Sequence, residues 1–336
     1  MTRHSPQLSG SQYNSDSQNF VKDFLFGNTD ICHEDTCIRS QLLMDSRTEG
    51  WIGIPHGGIG MGAIMELAAM LHTYPVQDEA LYPLSADFRM GGSRVRIGDC
   101  VGIIVTSGEG GAEGVVAANR DASPYISASI RYGNEDPDRK EQFLSYMPER
   151  FSDMGNMRVL LPHYVNCFVC GAERRHPGLK RHFSFVNSPH NLGKIVISTA
   201  GCDALDDETF YLFRHNDVIH PIAFLALLDE VMGWGGFMIS ANGGVTVRAN
   251  YTFYRAVHVG ERIVVFGRGE RVRGNINTRL LFWASGGAAV LHDNGRLEPV
   301  IAASGQWLGV KELTDQMKRE LIPEERTTMA FSLAGV

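Results

Sequence analysis

The sequence predicts an α+β protein made of two similar halves, each with an antiparallel sheet and one long apolar helix. The order of strand, Gly-rich loop, long helix and strand run occurs twice along the chain. A histidine precedes each helix, at His56 and at His220, 164 residues apart. Behind the helices, the segments VRIGDCVGIIV (95–105) and VHVGERIVVFG (257–267) echo each other. Repetition over this length predicts a duplicated domain of ordinary size.

Changes in composition divide the chain into five predicted segments. Residues 1–20 are polar and rich in Ser, Gln and Asn, which predicts a disordered tail. The first half covers 21–135, and its strands are separated by Gly-rich turns typical of an antiparallel meander. A charged stretch with Pro137 follows at 136–160 and is predicted to be a linker with at most one short helix. The second half covers 161–312, and 313–336 is predicted to be a C-terminal helix and tail.

The longest helix pattern, IHPIAFLALLDEVMGWGGFMIS at 219–240, is apolar on nearly every face, which predicts a helix buried on most sides. It is long enough to span a bilayer, but the adjacent acids Asp229 and Glu230 at mid-length argue against that. A carboxylate in such surroundings needs a partner or a function. Asp229 is therefore the first candidate for a functional residue.

The overall charge and the cysteine count exclude several classes of protein. The 336 residues carry a net charge of -7, which leaves no basic field for nucleic acid or an anionic membrane. Six scattered cysteines are too few for a disulfide scaffold at this length. We expect no signal peptide, because no basic start precedes an apolar core. These features favour the cytoplasm.

With these residues in hand, both halves resemble hotdog-fold proteins, in particular the PaaI-like acyl-CoA thioesterases, over roughly residues 35–310. The resemblance implies two hotdog domains in tandem, each an antiparallel sheet wrapped around a long central helix, which together form a pseudo-dimer. It rests on matches in both halves. The first half has His56-Gly57-Gly58 and Gly98-Asp99. The second half has the nine-residue spacing from His220 to Asp229, the strand opening Gly244-Val245-Thr246-Val247, the pair Gly260-Glu261, and the preceding segment CFVCGAERRHPGL from Cys167 to Leu179.

The two halves differ at the positions that the resemblance marks as catalytic. In the family, the amide of the Gly after the His polarises the thioester carbonyl, and an acid on the partner helix completes the site. Gly57 can supply that amide, whereas Pro221 at the same position has no N–H. Asp229 supplies the acid, whereas the first half has Met65 there. The resemblance therefore implies one composite site per chain and an inactive mirror site.

The chemistry implied is hydrolysis of an acyl-CoA thioester without metal or cofactor. Asp229 is predicted to act as general base for water or as nucleophile. Thr246 is predicted to orient the water or Asp229. His56, Gly58 and Glu230 are predicted to contact the substrate. A homodimer of such chains is compatible with the fold.

Two other functions remain open. The family often has an amide side chain six residues before the His, and here Gly50 and Arg214 occupy those positions. This favours a non-catalytic acyl or acyl-CoA binding protein on the same fold. A hotdog dehydratase or hydratase ranks last, because neither helix has an Asp-x4-His pattern.

Each candidate residue also has a simpler structural interpretation. Asp229 could be a structural acid, and Thr246 an ordinary strand residue. His56 and His220 could serve only to begin their helices. Gly57-Gly58 could permit close packing or an unusual turn.

Cysteine and arginine clusters leave further alternatives. Cys167 and Cys170 form half of a zinc site, with His163, His176 or Cys202 as possible partners, or else a tight turn of buried thiols. Two basic groups could meet CoA phosphates or be exposed charge without a ligand: Arg174, Arg175, Lys180 and Arg181, and Arg268, Arg271 and Arg273.

Overall fold

The structure is a computed structural model, and it describes residues 20–71, 81–118, 123–133, 137–154, 159–187, 193–202 and 207–321. The predicted tail at 1–20 lies outside the described residues except for Phe20. The end of the predicted C-terminal segment, beyond Leu321, also lies outside them. The first described element is helix α1, which starts at Phe20.

The first half contains two helices and eight strands. In chain order these are α1 Phe20–Phe26, β1 Cys32–Glu34, β2 Cys37–Leu43, β3 Glu49–Trp51, β4 Ile54–Pro55, α2 Gly57–Leu71, β5 Leu84–Met90, β6 Cys100–Gly108, β7 Gly111–Ala118 and β8 Ile126–Tyr132. The long helix α2 thus begins immediately after His56.

The second half repeats this order after an intervening segment. That segment contains α3 Pro137–Leu144 and a 3-10 turn Phe151–Met154. The elements that follow are β9 Val159–Leu160, β10 Ser184–Asn187, β11 Lys194–Ala200, α4 Asp207–Phe210, β12 Arg214–His215, β13 Val218–Ile219, α5 Pro221–Ser240, β14 Gly244–Phe253, β15 Ile263–Arg273, β16 Leu281–Leu291, β17 Leu297–Gly309, α6 Lys311–Gln316 and a π-helical turn Met317–Leu321.

Thirteen of the described strands form one sheet, and the order of its ten central strands shows the duplication. The first half contributes β2-β6-β7-β8-β5 and the second β14-β17-β16-β15-β11, so that the second half repeats the strand order of the first in reverse. The halves join where β5 pairs antiparallel with β14. Each half-sheet curls around its own long helix, and the tandem hotdog fold predicted from the sequence is confirmed.

The two long helices cross at small residues. A Cβ added to Gly58 would lie 2.5 Å from the Cβ of Ala226, and one added to Gly62 would collide with Ile222. The absence of side chains on α2 therefore lets α5 approach closely. Helix α5 is long and apolar enough to cross a membrane, but 78% of its most apolar 18 residues are buried inside the protein.

The segment predicted to be a linker, 136–160, is partly helical and packs against the protein. Phe143 of α3 and Tyr146 are 1% and 2% exposed, on the outer face of the second half-sheet. They form a separate small core there with strand residues such as Val264 and Phe266. The outer face of the first half-sheet keeps Leu43 and other apolar side chains about half exposed.

Candidate active site

Helix α2 begins with a histidine that caps it. Nδ1 of His56 accepts the N–H of Gly58 at 3.0 Å, which satisfies one of the amides left free at a helix start. Among the described residues, no acceptor is found for the N–H of Gly57, the first residue of the helix. Gly57 is partly exposed, whereas Gly58 is buried. The helix start therefore presents one free amide at an accessible position.

Asp229 of α5 lies beside this amide. A Cβ added to Gly57 would be 3.5 Å from Oδ2 of Asp229 and 3.5 Å from the terminal methyl of Met90. The hydroxyl of Thr246 on β14 donates to Oδ1 of Asp229 at 2.8 Å. The structure therefore brings together Gly57, Asp229 and Thr246, which come from opposite halves. Their catalytic roles stay a prediction.

Access to this point is local. The first eight residues of α5, Pro221–Leu228, are buried, and Asp229 and Glu230 are the first that solvent reaches in part. Met90 and Tyr125 nearby are also partly exposed. Neither residue was predicted from the sequence, because nothing in the strand pattern indicates which strand end lies against the start of α2.

The environment of Asp229 favours its protonated form. Burial raises the pKa of Asp229 above its ordinary value, and the charge of Glu230 raises it further. The hydrogen bond from Thr246 lowers it in part. The result is a carboxylate with a raised pKa and therefore a stronger base than an exposed Asp.

A second group of polar residues lies directly behind the start of α2. Nε2 of His56 is 3.5 Å from Oε2 of Glu230, whose other oxygen accepts the indole N–H of Trp234 at 3.2 Å. The sulfur of Cys167 lies within 4.8 Å of a ring nitrogen of His56 and of a carboxylate oxygen of Glu230. Burial is the largest single influence on Cys167 and acts to raise its pKa, but the hydrogen bonds from the thiol and backbone of Cys170, together with smaller contributions, lower it on balance. Sequence reasoning did not predict this neighbour of His56.

Two influences on His56 oppose each other. Burial lowers the pKa of the ring, while the hydrogen bond to Glu230 and the charges of Cys167, Asp229 and Glu230 raise it, and the balance is a pKa of about 9. A ring protonated on both nitrogens, however, cannot accept the N–H of Gly58. Because that amide is fixed by helix α2, the ring carries its proton on Nε2 and is neutral.

Two groups of side chains have the spacing of metal ligands: His56, Cys167 and Glu230, and Glu66, His215 and His220. His220 also caps its helix, with Nδ1 accepting the N–H of Ile222 at 3.1 Å. A neutral imidazole has a single lone pair, and in both capping histidines the backbone amide occupies it. Neither ring can offer Nε2 to a metal, so neither group fits one.

At the mirror position the chain has a buried polar network around Glu66. Oε2 of Glu66 lies 2.9 Å from Nε2 of His215 and 3.2 Å from Nε2 of His220. The His220 contact is close but lacks hydrogen-bond geometry. Pro221 begins α5 and Met65 is buried, at 3% exposure. The mirror position therefore has neither a free amide nor an accessible acid.

The glycines near His56 have separate functions in the structure. Gly58 packs against Ala226 and donates its N–H to His56, so we do not propose it as a contact for the substrate. A Cβ on Gly50 would lie 2.7 Å from Cα of His56. No side chain fits at that position, and the amide group common in the family has no replacement there.

The Cys-x-x-Cys segment forms a tight buried turn that packs on the first half. Sγ of Cys167 accepts the N–H of Val169 at 3.3 Å and of Cys170 at 3.4 Å. The adjacent Phe168 donates its N–H to the carbonyl of Glu49 at 2.7 Å. The partners considered for zinc lie elsewhere: His176 contacts Ser46, His163 packs against His182, and Cys202 is exposed.

Two arginines near the Cys-x-x-Cys turn fit neither role considered for this basic group, contact with CoA phosphates or exposed charge. Arg174 and Arg181 are each 4% exposed, so they are neither surface charge nor free for phosphates. Arg174 donates to the carbonyls of Arg47, Asn166 and His176, and Arg181 to those of Leu179 and Thr199. Their guanidinium groups hold the segment together by satisfying buried carbonyls.

Comparisons with known proteins find similarity at the level of structure. No family model matches the sequence, and no curated protein matches it. Solved structures similar to this chain include the tesB protein of Mycobacterium avium subs. paratuberculosis (12% identity, TM-score 0.47, 87% of this chain and 99% of that chain). The acyl-CoA thioesterase II TesB2 of Mycobacterium marinum is also similar (11%, 0.43, 87% and 98%). So is the dehydratase domain of PpsC of Mycobacterium tuberculosis, solved with C12:1-CoA (13%, 0.49, 85% and 98%).

These neighbours include an acyl-CoA thioesterase and a dehydratase domain. At such low identity the similarity concerns the fold alone. The class of this protein therefore rests on its own strand order, and what its site does is a matter of its own residues.

Proposed function

We propose that the chain hydrolyses an acyl thioester at one composite site between its two halves. The observation that supports this is the free amide of Gly57 beside the carboxylate of Asp229. A helix start with an unpaired N–H stabilises a developing oxyanion, and a neighbouring carboxylate of raised pKa activates water. The two groups that the proposed hydrolysis needs therefore lie beside each other.

In this mechanism the thioester carbonyl accepts the N–H of Gly57. Asp229 takes a proton from a water molecule, which attacks the carbonyl carbon. The tetrahedral oxyanion is stabilised by the Gly57 amide and by the dipole of α2. Collapse breaks the C–S bond, and protonated Asp229 returns its proton to the leaving sulfur. A carboxylic acid and a thiol are released, and Asp229 is again a carboxylate. Thr246 keeps Asp229 oriented through its hydrogen bond to Oδ1.

The substrate class belongs to the proposal. We infer that the substrate is an acyl-CoA. We also infer that His56 and Glu230 shape the site and carry out no chemistry, because each contacts the other, and His56 also contacts α2 and Glu230 also contacts Trp234. All six cysteines are free thiols, in keeping with the cytoplasmic location predicted from the sequence. A homodimer of such chains stays a prediction.

One observation favours the alternative of a non-catalytic acyl-CoA binding protein. Gly50 has no room for a side chain, so no amide assists the water at this site. Asp229 and Thr246 would then have to position the water alone. A site with the free amide and without efficient water activation would bind the thioester and turn it over slowly.

The test is a panel of acyl-CoA thioesters with a thiol-reactive readout. The panel holds short, long and aromatic acyl groups and is run on the parent protein, Asp229→Asn and Asp229→Ala. Asp293→Asn is the matched control, since Asp293 is a fully exposed turn residue of the same half. Because Cys32, Cys100 and Cys202 are exposed, each run needs a blank without substrate.

We expect the parent to turn over and both Asp229 variants to lose about a hundredfold or more in kcat. Asp293→Asn should match the parent. Binding without turnover in the parent would establish the binding protein instead. Activity that survives both Asp229 substitutions would show that the site lies elsewhere.

A further inference from the structure

The outer face of the second half-sheet contains a trough of small residues. Side chains alternate along a strand, and Tyr251 of β14 points inward, where its hydroxyl donates to the carbonyl of Leu225 in α5. Arg248 and Asn250 therefore point outward. On β16 and β17 the outward positions near the middle are small: Ser285 pairs with Ser304, and Gly287 with Ala302.

Helix α3 fills one end of this trough. A Cβ on Gly287 would lie 2.7 Å from the ring of Phe143, so the phenyl group occupies the space that a side chain would take. The other end stays open as a groove of about 510 Å³. That volume lies within the usual range for small-molecule sites, about 300–1,000 Å³.

Long polar side chains surround the open part. They are Gln142 of α3, Arg248 and Asn250 of β14, Glu270 and Arg271 of β15, Trp283 of β16 and Gln306 of β17. The guanidinium of Arg271 lies over the indole of Trp283, 4.2 Å from the ring centroid. Nε of Arg248 donates to Oδ1 of Asn250 at 3.1 Å. Both guanidinium groups are thus held in place at the rim of the groove.

The groove carries uncompensated positive charge. Among the described residues, neither Arg248 nor Arg271 has a carboxylate partner. The nearby acid, Glu270, is engaged with Arg268 at 3.2 Å and with the hydroxyl of Ser285. In a chain with a net charge of -7, two unpaired arginines at one groove are a local site for an anion.

We propose that this groove binds a phosphorylated nucleoside. Arginine forks match phosphate oxygens in pairs, the flat guanidinium–indole stack suits a planar base, and Asn250, Gln306 and Gln142 offer amides to its polar edge. The site lies on the face of the sheet opposite α5, and therefore opposite Asp229. Its occupancy does not depend on the hydrolysis proposed above, and it adds a binding function to that activity.

The test is calorimetric titration of the full-length protein at low salt with adenosine 3',5'-bisphosphate, with adenosine and pyrophosphate as partial ligands. The variants are Arg248→Ala, Arg271→Ala and the control Arg273→Ala, which makes the same change at an exposed position two residues further along β15, outside the groove. Thermal unfolding of each variant confirms that it is folded. Titrations with ADP and with coenzyme A are run on the parent and on Arg271→Ala, and only the binding that Arg271→Ala loses is assigned to the groove. The comparison of the two ligands separates a free nucleotide from the nucleotide end of coenzyme A.

We expect one saturable site for the bisphosphate, with both partial ligands weaker. Arg248→Ala and Arg271→Ala should each weaken it about tenfold or more, and Arg273→Ala less than about twofold. No saturable binding by the parent, or equal losses in Arg273→Ala and Arg271→Ala, would overturn the proposal. Asp229→Asn should bind the bisphosphate as the parent does, so failure here is separate from failure of the hydrolase assignment.

Discussion

A methyl group added to Gly57 would lie 3.5 Å from Oδ2 of Asp229, although the two residues belong to helices in opposite halves of the chain. The helix crossing explains this proximity. Gly58, the next residue, packs on Ala226, and Asp229 follows Ala226 by three residues, on the same face of α5. The distance between the amide and the acid is therefore set by how closely α2 and α5 approach.

Replacing Gly57 with proline should remove the proposed oxyanion donor without disturbing the fold. Proline is well tolerated as the first residue of a helix, and Pro221 already holds that position in the second half. We expect kcat to fall about 10²–10³-fold, the usual effect of losing one such donor. The measurement is steady-state hydrolysis of the best acyl-CoA in the panel.

Gly57→Ala is the control for this variant. Its Cβ would make ordinary contacts at 3.5 Å and keep the N–H, so thermal unfolding and turnover should stay near those of the parent. Equal losses in the alanine and proline variants would mean that space at residue 57 matters, and that its amide does not.

Thr246→Val should shift the pH dependence of hydrolysis. The Thr246 hydroxyl lowers the pKa of Asp229, so its loss raises that pKa further above the ordinary value of 3.8. The base works only when ionised, so the acid limb of kcat/KM should move to higher pH. Thr106→Val, on the exposed side of β6, is the control and should leave the profile in place. A profile unmoved by Thr246→Val would separate Thr246 from the base.

The sequence predicted the fold and the composite site because both depend on patterns that occur twice. Duplicated spacing places Gly57 at the start of α2 and Asp229 at the ninth residue of the equivalent helix α5, and a pseudo-dimer then brings the two positions together. It could not separate Gly57 from Gly58, because only the rotation of α2 against α5 decides which glycine faces Ala226 and which faces the acid.

Other features depend on long-range packing that leaves no local pattern. Cys167 reaches His56 from a segment outside both helices, and Arg174 is buried because backbone carbonyls from three places converge on it. The charged stretch before Phe143 resembles a solvated linker. One aromatic side chain over Gly287 is what docks it on the sheet.

The neutral ring that we assign to His56 is open to a direct test. Nitrogen-15 NMR of the histidine rings should show a single proton, on Nε2, at neutral pH, with Nδ1 accepting the Gly58 amide. The control is His292, an exposed ring that reports on the method. An imidazolium signal for His56 that persists to a pH of about 9 would mean that the charges of Glu230, Cys167 and Asp229 prevail and that the Gly58 hydrogen bond is broken.

The mirror network should make the protein sensitive to acid in two steps. Burial lowers the pKa of His220 below 6.5, so the unfolded chain takes up that proton first, and the free energy of unfolding falls as the pH drops below about 6.5. Burial acts to raise the pKa of Glu66, but His215 and His220 lower it overall. Its stabilising effect is therefore present above a pH of about 4.5 and is lost as the pH falls further.

His220→Asn isolates the first step. Asparagine is a good helix cap and can accept the Ile222 amide, but it does not titrate. We expect a lower melting temperature overall, from the volume lost, and a flatter dependence between pH of about 5 and 6.5. His292→Asn, at an exposed ring, should keep the slope of the parent. An unchanged slope in His220→Asn would assign the acid sensitivity to other groups.

Gly58→Ala tests whether the helix crossing sets the geometry of the site. The new Cβ would lie 2.5 Å from Cβ and 2.6 Å from Cα of Ala226, so the helices must separate, at a loss on the order of 1–3 kcal/mol in the free energy of unfolding. Separation also withdraws Asp229 from Gly57, so turnover should fall while the Gly57 amide and the carboxylate are both still present. The double variant Gly58→Ala with Ala226→Gly removes the clashing methyl and should recover part of both losses, measured by denaturant unfolding and by hydrolysis. Recovery of stability without recovery of turnover would show that the crossing and the site are independent.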